Sequence, residues 1–174
     1  MRLFFALEIP GELALQIADW RQRQLPAAGR EVPPANFHIT LAFLGNVEEQ
    51  RLEQLCAQTD QLLQRQGHAP GQLHLNQVGY WPRPGIYWLG PSDWPMQLDQ
   101  LASALAKRGN TIGARHKRSN YRPHLTLFRG CQDAPPAPTL PADFQFEYKA
   151  FVLMESRQGR QGVSYNPVAE WLLA

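Results

Sequence analysis

Phe37-His38-Ile39-Thr40-Leu41 and Pro123-His124-Leu125-Thr126-Leu127 are one short phrase written twice in the chain. Each copy alternates polar and aliphatic residues, the pattern of a strand with one face on a core. Successive strand side chains point to opposite faces, so His38 and Thr40 project together, as do His124 and Thr126. Ile39, Leu41, Leu125 and Leu127 face the other way. Each copy lies beside a helical segment, which points to two similar lobes that each contribute half of a site.

Working outward, Arg2 to Ile9 reads as a buried strand stopped by Pro10-Gly11. Leu13, Ile17 and Trp20 then form one apolar helical stripe that runs out around Pro26, and Pro33-Pro34 marks a loop. Phe37 to Leu44 is the first motif strand, ended by Gly45-Asn46. Glu48 and Glu49 suit the first turn of a second helix, which carries Leu52, Leu55, Cys56, Thr59, Leu62 and Leu63 on one side and stops near Gly67. Gln72 to Val78 and Ile86 to Leu89 read as a hairpin across Trp81-Pro82-Arg83-Pro84-Gly85. Leu98, Leu101 and Leu105 mark a third helix ending before Gly109, and His124 to Phe128 is the second motif strand. Ala134 to Pro138 is a stiff surface connector, too short to separate independent domains. Phe144 to Glu155 reads as one long strand and Val163 to Trp171 as another. The expected order is β-α-β-α-β-β-α-β-β-β, an α+β fold in which residues 1–174 form one domain.

The formal charge of +2 excludes a polycation that coats nucleic acid indiscriminately, so any basic patch is local. The 15 prolines and 13 glycines favour many short elements over a helical bundle. Glu8 and Pro10 cut the opening apolar run far short of a signal-peptide core, and no stretch is long and apolar enough to span a membrane; a cytoplasmic monomer is expected. Cys56 and Cys131 are read as free thiols.

A lone His-x-Thr in a strand is more often a hydrogen-bonded structural residue than a catalyst; repetition reverses that balance. Cleaving a phosphodiester with water needs one proton taken from the nucleophile and another delivered to the leaving alkoxide, and histidine suits both tasks near neutrality. Thr40 and Thr126 place hydroxyls where non-bridging phosphate oxygens would lie. His68, His74 and His116 show no metal-ligand spacing with the motifs, and no Gly-x-Ser-x-Gly turn exists, so neither a metal, another cofactor nor a serine nucleophile is expected. Lys107 to Gly130 holds seven Lys and Arg without an Asp or Glu and runs into the second motif. Arg122 and Arg118 are its candidate RNA contacts, and Phe5 and Phe43 the candidate base-stacking rings.

These phrases, in their longer forms Asn36 to Gly45 and Arg122 to Arg129, together with the opening Arg2 to Pro10 and Glu155-Ser156, Gly162 and Tyr165, resemble the 2H phosphoesterase superfamily. Within it the chain is similar to the RNA 2′,3′-cyclic phosphodiesterases, also called 2′-5′ RNA ligases. The resemblance implies a two-lobed, pseudo-two-fold fold with antiparallel sheets lining a cleft, helices outside, and no metal. It also implies hydrolysis of a terminal 2′,3′-cyclic phosphate to a 2′-phosphomonoester, His38 being the acid and His124 the base, Thr40 and Thr126 holding phosphate oxygens, with reversible 2′-5′ ligation at the same site. The partner would be RNA carrying a cyclic phosphate end or a small nucleotide analogue. Two alternatives remain open at this point: a non-catalytic RNA-binding module, and a sister enzyme acting on a small cyclic nucleotide or 2′-5′ oligoadenylate.

Overall fold

The computed structural model describes residues 1–26, 28–114 and 120–174. The elements run β1 (Arg2–Glu8), α1 (Gly11–Gln24), β2 (Arg30–Glu31), β3 (His38–Asn46), α2 (Leu52–Arg65), β4 (Gly71–Trp81) and β5 (Ile86–Pro91). They continue with α3 (Met96–Thr111), β6 (Leu125–Arg129), β7 (Phe144–Tyr148), β8 (Ala150–Gly159) and β9 (Gly162–Leu172). The strands form a four-stranded sheet ordered β3-β1-β8-β9 and a five-stranded sheet ordered β2-β6-β5-β4-β7. All strand pairs in both sheets are antiparallel. The α+β expectation is met, with one motif strand in each sheet.

β1 lies between β3 and β8 and is buried on both faces, which is why it reads as an unbroken apolar run. Its odd residues Leu3, Phe5 and Leu7 join the main core, whereas Phe4 and Ala6 meet Val152 and Met154 on the opposite face, with Tyr165 packed against them. His38 and Thr40 belong to that second face, since Ile39 and Leu41 are core residues.

Both motif strands carry an irregularity at the same place relative to the histidine. In β3 the register passes from Phe5↔Ala42 to Ala6↔Thr40, leaving Leu41 without an opposite number. In β6 it passes from Tyr87↔Phe128 to Trp88↔Thr126, leaving Leu127 without one. A bulge puts two consecutive residues on one face and reverses the parity beyond it. Leu41 and Ala42 therefore both enter the core, as do Leu127 and Phe128. Phe43 and Arg129, each five residues after its histidine, emerge on the side of the histidines.

Three sequence expectations need correction. The long strand over Phe144–Glu155 is two strands in different sheets: β7 pairs with β4, and β8, after Lys149, pairs with β1 and β9. The change was written in the burial pattern, since Phe144, Phe146 and Tyr148 alternate with polar residues whereas Phe151 to Met154 is continuous. Gly109 does not end the third helix but lies inside α3, buried, where a Cβ would run into the Leu44 side chain; its smallness lets the helix approach β3. The two-residue β2, absent from the expected order, pairs with β6. The hairpin across Trp81 to Gly85 and the strand over Val163 to Trp171 are present as β4–β5 and β9. Cys56 and Cys131 are both free. No helix among the described residues is long and apolar enough to cross a membrane.

Candidate active site

The two motif histidines are held in the same manner. The Asn36 carbonyl can only accept, so His38 Nδ1–H donates to it at 2.8 Å; likewise His124 Nδ1–H donates to the Arg122 carbonyl at 2.9 Å. In both cases the partner is two residues upstream, on the turn of chain that enters the strand. Each neutral ring is thereby fixed with its proton on Nδ1 and its lone pair on Nε2. His38 Nε2 accepts from the Thr40 hydroxyl at 3.1 Å, as expected for neighbours on one strand face.

Aromatic walls complete each half. The His38 ring lies against Phe4 and is met edge-on by Tyr165, both with centroids 4.9 Å away. Trp81 meets His124 edge-on at 4.6 Å, and Trp88 stands behind at 6.4 Å. Room for the Trp88 indole comes from Gly79, its cross-strand partner, where a Cβ would occupy the same space.

The halves converge. Tyr121, three residues ahead of His124, donates its hydroxyl to the Thr40 carbonyl at 3.0 Å, docking the second motif's approach on the first motif strand. Arg21 of α1 works from the core side: its buried guanidinium donates to the Val32 carbonyl at 2.7 Å and to the Leu127 carbonyl at 2.9 Å. It also lies over the Phe37 and Phe128 rings. One side chain thus grips the segment leading to His38 and the strand following His124.

A cleft of about 620 Å³ opens over this region, lined by Arg2, Phe4, His38, Thr40, Phe43, Arg129, Ser156, Gln158, Val163 and Tyr165. Burial lowers the pKa of both histidines, His38 down to about 4. The hydrogen bonds to Asn36 and Arg122 oppose this, while the positive charge of Arg129 lowers both, His124 also feels Arg122, and His38 feels His124. The two imidazoles therefore share one electrostatic environment, with Arg129 acting on each of them.

Of the sequence candidates, His38, Thr40 and Phe43 line the cleft and His124 stands beside it. Thr126 follows on β6, opposite Trp88. Arg122 lays its guanidinium 4.7 Å over the Trp88 ring, donates to Gln77 and serves His124 through its main-chain carbonyl. Phe5 is not a stacking ring: it is fully buried between Phe151 and Trp171, because strand parity turns it away from Phe4 and the cleft. Arg118 lies outside the described residues, with His116 and the adjoining part of the basic stretch. Arg129 was not singled out from sequence because strict alternation places it with Leu125 and Leu127, facing the core. Tyr165 and Phe4, the rings flanking His38, belong to the stretches that carry the family resemblance, but nothing local in the sequence placed them beside this histidine. Among the described residues no group of three His, Cys, Asp or Glu is placed to hold a metal ion; His74 pairs with Asp143.

Two antiparallel sheets each carry one His-x-Thr phrase, His38 and Thr40 lining the cleft and His124 near enough to act on the His38 charge. The chain belongs to the 2′-5′ RNA ligase superfamily, whose family model matches residues 9–160. It is 34% identical to the RNA 2′,3′-cyclic phosphodiesterase of Escherichia coli, over 99% of this chain and 96% of that one. It is 26% identical to the Thermus thermophilus protein of the same name, over 99% and 90%. The crystal structure of E. coli LigT complexed with 3′-AMP superposes with a TM-score of 0.91 at 33% identity, covering 99% of this chain and 97% of that one. The phosphate complex of the same protein gives 0.84 at 34% identity, covering 99% and 96%.

Proposed function

We propose that this protein hydrolyses a terminal 2′,3′-cyclic phosphate on RNA to a 2′-phosphomonoester, with His38 as general acid and His124 as general base. The observation that carries the reading is the matched pair of imidazoles, each with Nδ1 tied to a carbonyl two residues upstream and its lone pair on Nε2, under the common field of Arg129. His124 Nε2 takes a proton from water as the water oxygen attacks phosphorus. The P–O3′ bond breaks, its electron pair stays on O3′, and His38 Nε2 delivers the proton that makes the 3′-hydroxyl. Thr40, Thr126 and Arg129 hold the non-bridging oxygens, where negative charge accumulates. The names of the relatives supply the substrate class.

A depressed pKa suits a base at neutrality; an acid needs its proton restored. The anionic substrate does this, because its charge beside His38 favours the imidazolium and offsets the field of Arg129. Substrate binding thereby loads the acid. With a 5′-hydroxyl in place of water, the same steps join a cyclic end to it as a 2′-5′ linkage: the 5′ oxygen attacks phosphorus, the P–O3′ bond breaks, and O3′ leaves as the 3′-hydroxyl.

The test is turnover of a cyclic-phosphate-ended oligonucleotide, with products separated by chromatography. Wild type should give only the 2′-phosphate, and His38→Ala and His124→Ala should each lose at least about 10² to 10⁴-fold in kcat while remaining folded. Wild-type rates in His124→Ala would end the assignment. RNA affinity that weakens with salt but yields no product would favour a binding module instead.

A further inference from the structure

A second depression of about 410 Å³ runs on from the cleft, with Arg30, Glu31, Asn36 and Gln161 in its lining. Arg129, Gln158, Val163 and Tyr165 line both, so the two form one continuous groove. One wall is the chain that enters β3 and the other the end of the β8–β9 hairpin, and Asn36 Nδ2 clasps them together through the Val163 carbonyl at 2.9 Å. That groove leads away from the two histidines.

Its most telling feature is a pair of like charges. β2 exists only as Arg30 and Glu31, and Arg30 is the direct antiparallel partner of Arg129. Side chains at opposed positions project to the same face, and like charges there repel. Among the described residues neither arginine forms an ion pair. Glu31, the one carboxylate among the described residues lining the groove, lies 3.7 Å from the buried Arg21 guanidinium. Arg30 therefore extends an uncompensated positive field from the cleft into the groove, and Asn36, Gln158 and Gln161 offer amide donors along the way. Such a channel fits an anion that continues beyond the scissile phosphate.

We infer that Arg30 forms a second phosphodiester subsite, so that an RNA strand whose cyclic end lies between His38 and His124 passes its next linkage upstream over Arg30. This rests on the proposed function and names its substrate more closely: the end of a polynucleotide rather than a cyclic mononucleotide. Placing a diester against Arg30 relieves its repulsion with Arg129, which a mononucleotide cannot do at that position.

The experiment measures kcat/KM of wild type, Arg30→Ala and Arg65→Ala on a 2′,3′-cyclic mononucleotide and on a tetranucleotide ending in the same cyclic phosphate, from 25 to 300 mM salt (about one decade). Arg65→Ala removes the same charge from the exposed end of α2 and controls for net charge. The ratio of tetranucleotide to mononucleotide kcat/KM should fall about five- to tenfold in Arg30→Ala and stay within twofold of wild type in Arg65→Ala. The log–log salt slope for the tetranucleotide should lose about 0.7, the share of one single-strand phosphate contact. An unchanged ratio in Arg30→Ala, or an equal fall in Arg65→Ala, overturns the subsite. Anisotropy with a fluorescent 2′-phosphorylated tetranucleotide reads the same salt slope without turnover. If wild type hydrolyses neither substrate the proposed function fails, and the anisotropy slope still decides the subsite.

Discussion

Acidification of the unliganded protein probes His38 directly. Its folded pKa of about 4 stands against an ordinary 6.5, a gap of roughly 2.5 units, each worth about 1.4 kcal/mol. As pH falls through 6.5 the unfolded chain takes up a proton at this position while the folded protein, down to about pH 4, does not. The unfolded state therefore binds more protons in that window, so stability is lost as pH falls from 6.5 to 4 and levels off below, by about 3 kcal/mol from this group. His124, lowered in the same direction, adds to the fall. His38→Gln removes the first contribution. Urea unfolding at pH 7.5, 5.5 and 4.5 should show wild type losing about 3 kcal/mol more than His38→Gln across the range, with m unchanged. Inorganic phosphate should shrink the wild-type loss, because an anion in the cleft favours the imidazolium. Parallel stability–pH curves for the two proteins would refute the argument that burial and Arg129 hold this imidazole neutral.

Arg21→Ala orphans the buried Val32 carbonyl, whereas the Leu127 carbonyl keeps the Val32 N–H at 3.0 Å. The loss should be about 3 kcal/mol, seen as a fall of roughly 6–12 °C in Tm, with Arg21→Lys recovering part of it. Arg129→Gln should cut kcat about 10²-fold and, since Arg129 lowers the pKa of both histidines, move both limbs of the pH–rate profile to higher pH; unmoved limbs would refute its placement. Gly109→Ala should destabilise by about 1–2 kcal/mol in urea despite alanine's better helix propensity, because the added Cβ meets Leu44; a stabilised variant would show that the α3–β3 contact has slack.

Much of the site was legible before any coordinates. A period of two residues assigns His38 with Thr40 and His124 with Thr126 to one face each, and the repetition of the phrase makes both histidines significant. Helical stripes such as Leu98, Leu101 and Leu105 announce α3, and Pro10-Gly11 announces the end of β1. These signals are local: spacing, chirality and turn chemistry act over a few residues and need no partner.

What lies beyond them depends on which strand meets which. The change from alternation to a continuous apolar run marks a break near Lys149, but which sheet β7 and β8 each join is decided by the edges β4 and β1 offer them. Parity alone sends Arg129 into the core; only pairing with β5, where Leu127 is passed over, returns it to the cleft beside His38. The same shift against β1 exposes Phe43, while unbroken parity buries Phe5. The chain alone thus determined which residues could carry the chemistry, and tertiary pairing decided which others join them, because a bulge exists only in the register between two strands and has no counterpart in either strand by itself.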